Sequence, residues 1–267
     1  MRTVTALSRA AHLAPTVVVT ILAALLAVAA GHQAGGTVLI AAAVASGQLV
    51  IGWSNDLLDE ERDHAVGRTD KPLVTGEVSR RTLGGALVVA ALVCTGLSVV
   101  LGPAAGLAHL VLVASGVAYN AGVKATVWSW VPYALAFGAL PAVPWLALRP
   151  PAWPPVWMLA VGVLLGVGAH LVNVLPDLAD DAATGVRGAG HRLGARTAGA
   201  VAVAIFMIGT AMSVLGPGPP VPVWGWVALV AAGVAGAAAV IAGGRRPFHA
   251  AMAIAILNVV MLLARTP

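Results

Sequence analysis

The sequence predicts an all-α polytopic membrane protein with nine transmembrane helices, arranged as two parallel four-helix halves plus a ninth helix. Three observations predict it. Of the 267 residues 60% are hydrophobic and only 9% charged, with a mean hydropathy of +0.94, outside the range of soluble domains. Apolar windows of about 17 to 25 residues, long enough to cross a bilayer, recur along the chain. Lysine and arginine divide unequally between alternate loops.

The windows fall at residues 14–30, 36–54, 82–101, 104–123, 127–147, 155–176, 196–215, 221–242 and 248–264. The first follows Arg2 and Arg9 and has the composition of a signal peptide, but so many spans succeed it that it is read as the first helix. Turn-forming pairs separate the windows: Gly35-Gly36, Gly102-Pro103, Arg149-Pro150, Pro219-Pro220 and Gly243-Gly244. If each window crosses once, Arg2, Arg9, Arg62, Arg68, Lys71, Arg80, Arg81, Lys124, Arg187, Arg192, Arg196, Arg245 and Arg246 share one side, leaving only Arg149 and Arg265 on the other. That asymmetry puts the amino terminus and both acidic loops in the cytoplasm, and a bacterial plasma membrane is expected.

Charge and cysteine usage exclude several classes. The net charge of +5 does not imply nucleic acid, because the basic residues flank spans instead of forming a stripe with aromatics. Cys94 is the one cysteine, so neither an intrachain disulfide nor a cysteine metal cage can form, and it is read as a small apolar core residue. The seven histidines lack paired zinc-ligand spacing, and no phosphate-cradling glycine loop or serine nucleophile elbow is present. Trp153, Trp157, Trp224 and Trp226 suit the non-cytoplasmic interface. Trp53, Trp128 and Trp130 lie towards the cytoplasmic side, where they could line a substrate chamber.

Acid is concentrated where the second helix ends. Asp56, Asp59, Glu60, Glu61, Asp63 and Asp70 fall within fifteen residues, and of the ten acidic residues only Glu77, Asp177, Asp180 and Asp181 lie elsewhere. Asn55, Asp59 and Asp63 are spaced i, i+4, i+8, and Asp56, Asp59 and Asp63 are spaced i, i+3, i+7, so one helical face presents oxygen ligands. The pattern returns 118 residues later: Asn55, Asp59, Asp63 and Gly67 match Asn173, Asp177, Asp181 and Gly185, a weak internal repeat. The copies end helices two and six, which run the same way through the membrane, so two parallel halves bring the acidic faces together. No polar linker divides the halves, and a single domain over residues 1–267 is expected.

Carboxylates and an amide carbonyl are hard oxygen donors suited to Mg²⁺, which completes its shell with water and substrate phosphate. Asn55, Asp56, Asp59, Asp63, Asp177 and Asp181 are the candidate metal ligands, with Asp59, Asp63, Asp177 and Asp181 also candidate catalytic residues. Arg68, Lys71, Lys124 and Arg187 are candidates to clamp phosphate oxygens not held by metal. A cytosolic diphosphate head beside an apolar bundle suggests a lipid-like tail. Ionising an allylic diphosphate there leaves pyrophosphate at the metal and a carbocation in an apolar chamber. Glu60, Glu61 and Glu77 are read as solvated, Arg80, Arg81, Arg196, Arg245 and Arg246 as topology determinants, and His170 as satisfied by a helix neighbour.

These residues resemble the UbiA superfamily of intramembrane prenyltransferases along essentially the whole chain. Asn55-Asp56-x-x-Asp59-x-x-x-Asp63 is similar to that family's first aspartate-rich motif, and Asp177-x-x-x-Asp181 followed by Gly185 to its second. Asp70-Lys71-Pro72-Leu73 followed by Gly76 resembles the segment after the first motif. Tyr119-Asn120 with Lys124 resembles a Tyr-x-x-x-Lys element one residue longer, which adds Tyr119 to the diphosphate set. The resemblance implies Mg²⁺-dependent binding of an isoprenyl diphosphate, ionisation, and transfer to an acceptor, commonly an aromatic ring and otherwise a membrane-dissolved lipid. The superfamily also contains terpene cyclases, whose cation closes on its own chain, and Trp128, Trp130, Tyr133 and Phe137 could stabilise a cation in either case. A transporter with a cation site between repeats is the reading from another class, and acids at one membrane face instead of the midplane count against it.

Overall fold

The computed structural model describes residues 2–175, 187–243 and 246–266, which form twelve α-helices and one 3-10 turn, with no strand among the described residues. Seven of the helices are long and apolar enough to cross a membrane, and an eighth span results if the bent pair at the amino terminus counts as one. The protein is therefore an all-helical, integral membrane protein. Its residues cluster into two compact units, Met1–Gly122 with Val143–Ala152, and Val123–Ala142 with Trp153–Pro267.

In the first unit, α1 (Arg2–Ala10) and α2 (Leu13–Ala29) meet at a 69° bend. Then follow α3 (Ala34–Leu58), the short α4 (Glu60–Ala65), α5 (Arg80–Leu101) and α6 (Pro103–Asn120). Ser79 caps α5 by accepting a hydrogen bond from the Thr82 backbone N–H at 3.1 Å, which satisfies one of the free donors of a helix start. Gly102, at φ 99°, ends α5, and Pro103 opens α6 where a missing N–H costs nothing.

The central helix is α3, packed against α2, α5 and α6. Small residues permit the close approach, as is usual where lipid gives no hydrophobic drive between helices. A Cβ on Gly47 would stand 2.6 Å from the Val113 side chain, and one on Gly116 would stand 2.6 Å from Ile51. The outer faces are apolar: Leu92 and Val99 of α5 are 70% and 73% exposed, while Ser98 on the same helix is buried. Ser98 donates to the Cys94 carbonyl at 2.7 Å and so accepts from His109 Nδ1 at 2.8 Å. That inversion, polar inward and apolar outward, is what a lipid solvent selects. Cys94 is a buried free thiol, as its sequence context suggested.

The second unit contains α7 (Val131–Ala139), α9 (Val156–Val174), α10 (Ala189–Leu215), α11 (Val223–Ala242) and α12 (Arg246–Ala264). There α9 packs against α7, α10 and α12, and α10 against α11 and α12. Asn258 of α12 donates to the Phe206 carbonyl of α10 at 2.8 Å, a polar clamp between two apolar helices. The expected span at 127–147 is two short helices, α7 and α8 (Ala142–Leu146), broken around Leu140 and Pro141. Proline at that point removes a helical hydrogen bond. The expected span at 196–215 begins just after a kink at Gly194, where φ is 71°.

Candidate functional site

The first acidic cluster is built on the carboxyl end of α3. Asn55 and Asp56 occupy its last turn, and Asp59 is the junction residue between α3 and α4. The backbone bonds continue through that junction, from Asp59 N–H to the Asn55 carbonyl at 2.9 Å and from Asp63 N–H to the Asp59 carbonyl at 2.8 Å. The helical register therefore survives, and the spacing predicted from the sequence places Asn55, Asp59 and Asp63 along one side. Gly67 and Gly76, at φ 66° and 74°, turn the chain back on itself, and Leu73 and Val78 anchor the loop by burial. This return brings Lys71 to α3.

All three aspartates are withdrawn from water: Asp56 is 2%, Asp59 5% and Asp63 2% exposed, with Lys71 at 8%. Buried carboxylates need partners, and each finds some. Lys71 Nζ lies 2.6 Å from Asp56 Oδ1, 2.9 Å from His12 Nε2 and 3.3 Å from Asn55 Oδ1. An ammonium only donates, so its three protons meet three acceptors, and His12 carries its ring proton on Nδ1. The 3.1 Å separation of His12 Nε2 and Asp56 Oδ1 is then two acceptors around one cation.

Asn55 Nδ2 donates to Asp59 Oδ2 at 2.8 Å and to Asn120 Oδ1 at 3.3 Å, while Asn120 Nδ2 donates to the Ile51 carbonyl and to Ser54 Oγ. Arg62 reaches Asp59 Oδ2 at 3.2 Å and Asp63 Oδ1 at 3.8 Å. Burial pushes the Asp63 carboxyl above its ordinary value. Lys71 opposes this, the neighbouring Asp59 reinforces it, and Arg62 and Arg68 oppose it in turn. Arg68 itself forms a two-pronged pair with Asp70 at 2.8 and 2.9 Å, and those bonds hold the Asp70 carboxyl down to about 2.

Three carboxylates, Asp56, Asp59 and Asp63, gather in this buried place, with Lys71 and Arg62 in contact. Asp56 Oδ2 is buried and has no hydrogen-bond partner. Among the described residues no group of three or more His, Cys, Asp or Glu side chains is by itself placed to hold a metal ion. The donor chemistry, three buried carboxylates of which Asp56 keeps one oxygen without a partner, fits a hard divalent cation that takes further ligands from water or substrate.

Of the other sequence candidates, Tyr119 lies in the last turn of α6 in the first unit and is half-buried, and Lys124 lies half-buried in the 3-10 turn Val123–Ala125 of the second. Arg187 is exposed. Asp177 and Asp181 lie outside the described residues, as do Asp180 and Gly185. Glu60 pairs with Arg80, and Glu77 with Arg9. In the second unit His170 Nε2 contacts Ser129 Oγ at 3.0 Å, across 41 residues of chain and not within its own helix, and its ring stands 5.2 Å from Tyr133. Tyr133 also stacks on Phe137 at 6.4 Å and accepts from Asn173 at 3.1 Å.

His12 and Ser54 carry no sign of a role in the sequence, where Arg62 and Asn120 stand out only for membrane orientation and for the Tyr119-Asn120 element. The i, i+3 spacing of Asp59 and Arg62 was the available signal for one of them.

The residue pattern of the UbiA prenyltransferase family matches residues 17–261. The fold is similar to the apo structure of a UbiA homolog from Aeropyrum pernix K1, at 17% identity and TM-score 0.73, covering 93% of this chain and 97% of that one. It is also similar to a UbiA homolog from Archaeoglobus fulgidus bound to GPP and Mg²⁺, at 16% identity and TM-score 0.70, covering 98% and 99%. A structure described for digeranylgeranylglyceryl phosphate synthase aligns with TM-score 0.74 at 12% identity over 100% and 99%. No curated protein gives a significant match in sequence.

Proposed function

The chain belongs to the UbiA prenyltransferase family, and from that premise we propose that it is a Mg²⁺-dependent intramembrane enzyme. It ionises an isoprenyl diphosphate and transfers the prenyl group to a small, aromatic acceptor or a membrane-dissolved one. The observation that carries this reading is the buried cluster of Asp56, Asp59 and Asp63, in which Asp56 Oδ2 has no hydrogen-bond partner. The fold relatives from Archaeoglobus fulgidus bind GPP or DMAPP with Mg²⁺, which supports a prenyl diphosphate as the ligand class.

Bound Mg²⁺ would supply electrostatic stabilisation of the departing diphosphate. Asn55, Asp56, Asp59 and Asp63, with Asp177 and Asp181 from the second motif, are the proposed ligands. Asp59, Asp63, Asp177 and Asp181 are also the proposed catalytic residues. Arg68, Tyr119, Lys124 and Arg187 are assigned to the diphosphate oxygens. Lys71 joins this set through Asp56, because its three protons already meet protein acceptors.

In the reaction the bond from the allylic carbon to the diphosphate oxygen breaks, and the electron pair leaves with pyrophosphate. A ring carbon of the acceptor then gives a pair to the allylic cation, and the ring loses a proton. Products are the prenylated acceptor, pyrophosphate and one proton. Trp128, Trp130, Tyr133 and Phe137 are proposed to face the cation. The broken α7–α8 segment and the bent α1–α2 pair are proposed to complete nine spans, in two parallel four-helix halves plus a ninth helix that act as one domain, with the amino terminus and both motifs cytoplasmic.

The test uses purified protein, Mg²⁺ and prenyl diphosphates of several lengths, first alone and then with an aromatic acceptor. Pyrophosphate release that appears with the acceptor supports the transferase. Cyclic hydrocarbon formed in step with pyrophosphate without an acceptor would reassign the chain as a cyclase, and no Mg²⁺-dependent release under either condition would refute the proposal.

A further inference from the structure

We infer that His12 is a positioning residue for this site: with Lys71 it pins Asp56 by Oδ1 and leaves Oδ2 as the carboxylate oxygen open to a divalent cation. The inference rests on the metal-dependent reading above and assigns a role to the α1–α2 turn.

The turn is built at a conformational cost. His12 has φ 52° and ψ 63°, and it is the one non-glycine residue with positive φ among the described residues. A β-carbon is disfavoured in that left-handed region, and such a conformation persists only where its surroundings over-determine it. They do so here. Ala11 is fully buried, and a Cβ on Gly52 would stand 2.8 Å from its carbonyl oxygen. That same carbonyl accepts from Thr16 Oγ1 at 2.8 Å. Trp53 Nε1 donates to the Leu7 carbonyl at 2.9 Å, and Arg9 holds both Glu77 oxygens at 2.8 Å and the Asp70 carbonyl at 3.1 Å. Together these contacts fix α1 to α3 and to the loop that carries Lys71.

The consequence of the turn is chemical. Its imidazole supplies the acceptor that Lys71 would otherwise lack after Asp56 and Asn55. With three acceptors met, the ammonium has one resting place, against Asp56 Oδ1. The carboxylate is held at that oxygen while Oδ2 stays buried without a partner. A partner of a ligand that fixes its orientation is the arrangement that tunes metal affinity from behind.

The experiment measures binding of Mn²⁺, a probe for Mg²⁺, to the full chain in detergent by electron paramagnetic resonance, without prenyl diphosphate. Thermal unfolding is followed in parallel. His12→Gly relieves the positive φ and should stay folded, yet bind Mn²⁺ about tenfold or more weakly. His12→Asn tolerates the same backbone region but is too short to reach Lys71, and should lose affinity likewise. His12→Gln, which places an acceptor near the Nε2 position, should recover most of it. Unchanged affinity in His12→Gly and His12→Asn, with binding lost in Asp59→Asn, overturns this inference alone. Unchanged affinity in Asp59→Asn as well overturns the metal reading and this inference with it.

Discussion

Lys71 Nζ and Asp56 Oδ1 form a 2.6 Å ion pair between side chains that are both almost fully buried. Removing one member of such a pair strands the other charge out of water. Lys71→Met should therefore destabilise the protein by about 3 to 5 kcal/mol, measured as thermal unfolding in detergent. The double variant with Asp56→Asn should recover much of that loss, because no lone charge remains. A single variant as stable as the parent would show that the pair is not made in the protein.

Asp59 accepts from Asn55 and Arg62 and lies beside Asp63. Asp59→Asn keeps its volume and loses one charge, and turnover should fall by at least ~100-fold if the lost interaction is made in the transition state. Asp177→Asn should behave alike if the second motif shares the substrate. Pyrophosphate release at saturating Mg²⁺ measures both, with helical content as the folding control.

Asp63 carries an internal conflict. Its carboxyl is raised, by burial first of all, so ionising Asp63 costs more in the folded chain than in the unfolded one. The sign is opposite to that of a salt-bridged acid: stability from this group grows as pH falls through its folded value. Asp63→Asn should raise the apo melting temperature by a few degrees. It should also abolish the further rise that Mg²⁺ gives the parent. A lower apo melting temperature would contradict the burial argument.

The Arg68 and Asp70 pair predicts a second pH effect. Asp70 is held down to about 2 from an ordinary 3.8, so its stabilisation is present above 3.8 and is lost as pH falls through 2. Asp70 is 60% exposed, and solvent screening limits the effect to about 1 kcal/mol or less. Comparing acid unfolding of Asp70→Asn with the parent measures it, and the two curves should converge at the acid end.

Gly52 touches the backbone of Ala11, so a methyl group there must move main chain and not a flexible side-chain tip. Gly52→Ala should cost about 1 to 3 kcal/mol and lift the α1–α2 turn. Loss of the hydrogen bond from Trp53 to Leu7 should be visible as a shift in tryptophan emission. Weakened Mn²⁺ binding should accompany that shift if the turn positions His12.

The helices and the oxygen-ligand face were legible because both depend on local periodicity. Asn55, Asp59 and Asp63 lie as their spacing implied, since the backbone bonds run unbroken through the junction at Asp59. Lys71 was legible as a nearby cation, but its true partners were not. His12 and Asp56 are 44 residues apart, and no local pattern joins them. The break at Leu140 and Pro141 was likewise hidden inside an apolar window, because hydropathy averages over the proline that interrupts the helix.

By itself, then, the sequence determined the solvent of this protein, its helical class and the chemistry of its first acidic face, because composition and i, i+4 spacing act over a few residues. Tertiary structure alone decided which charges answer that face. A left-handed turn at His12, a glycine contact at Gly52 and a returning loop bring an imidazole and an aspartate oxygen onto one ammonium. Burial makes that meeting necessary, since a carboxylate withdrawn from water must find its partners wherever the fold can deliver them.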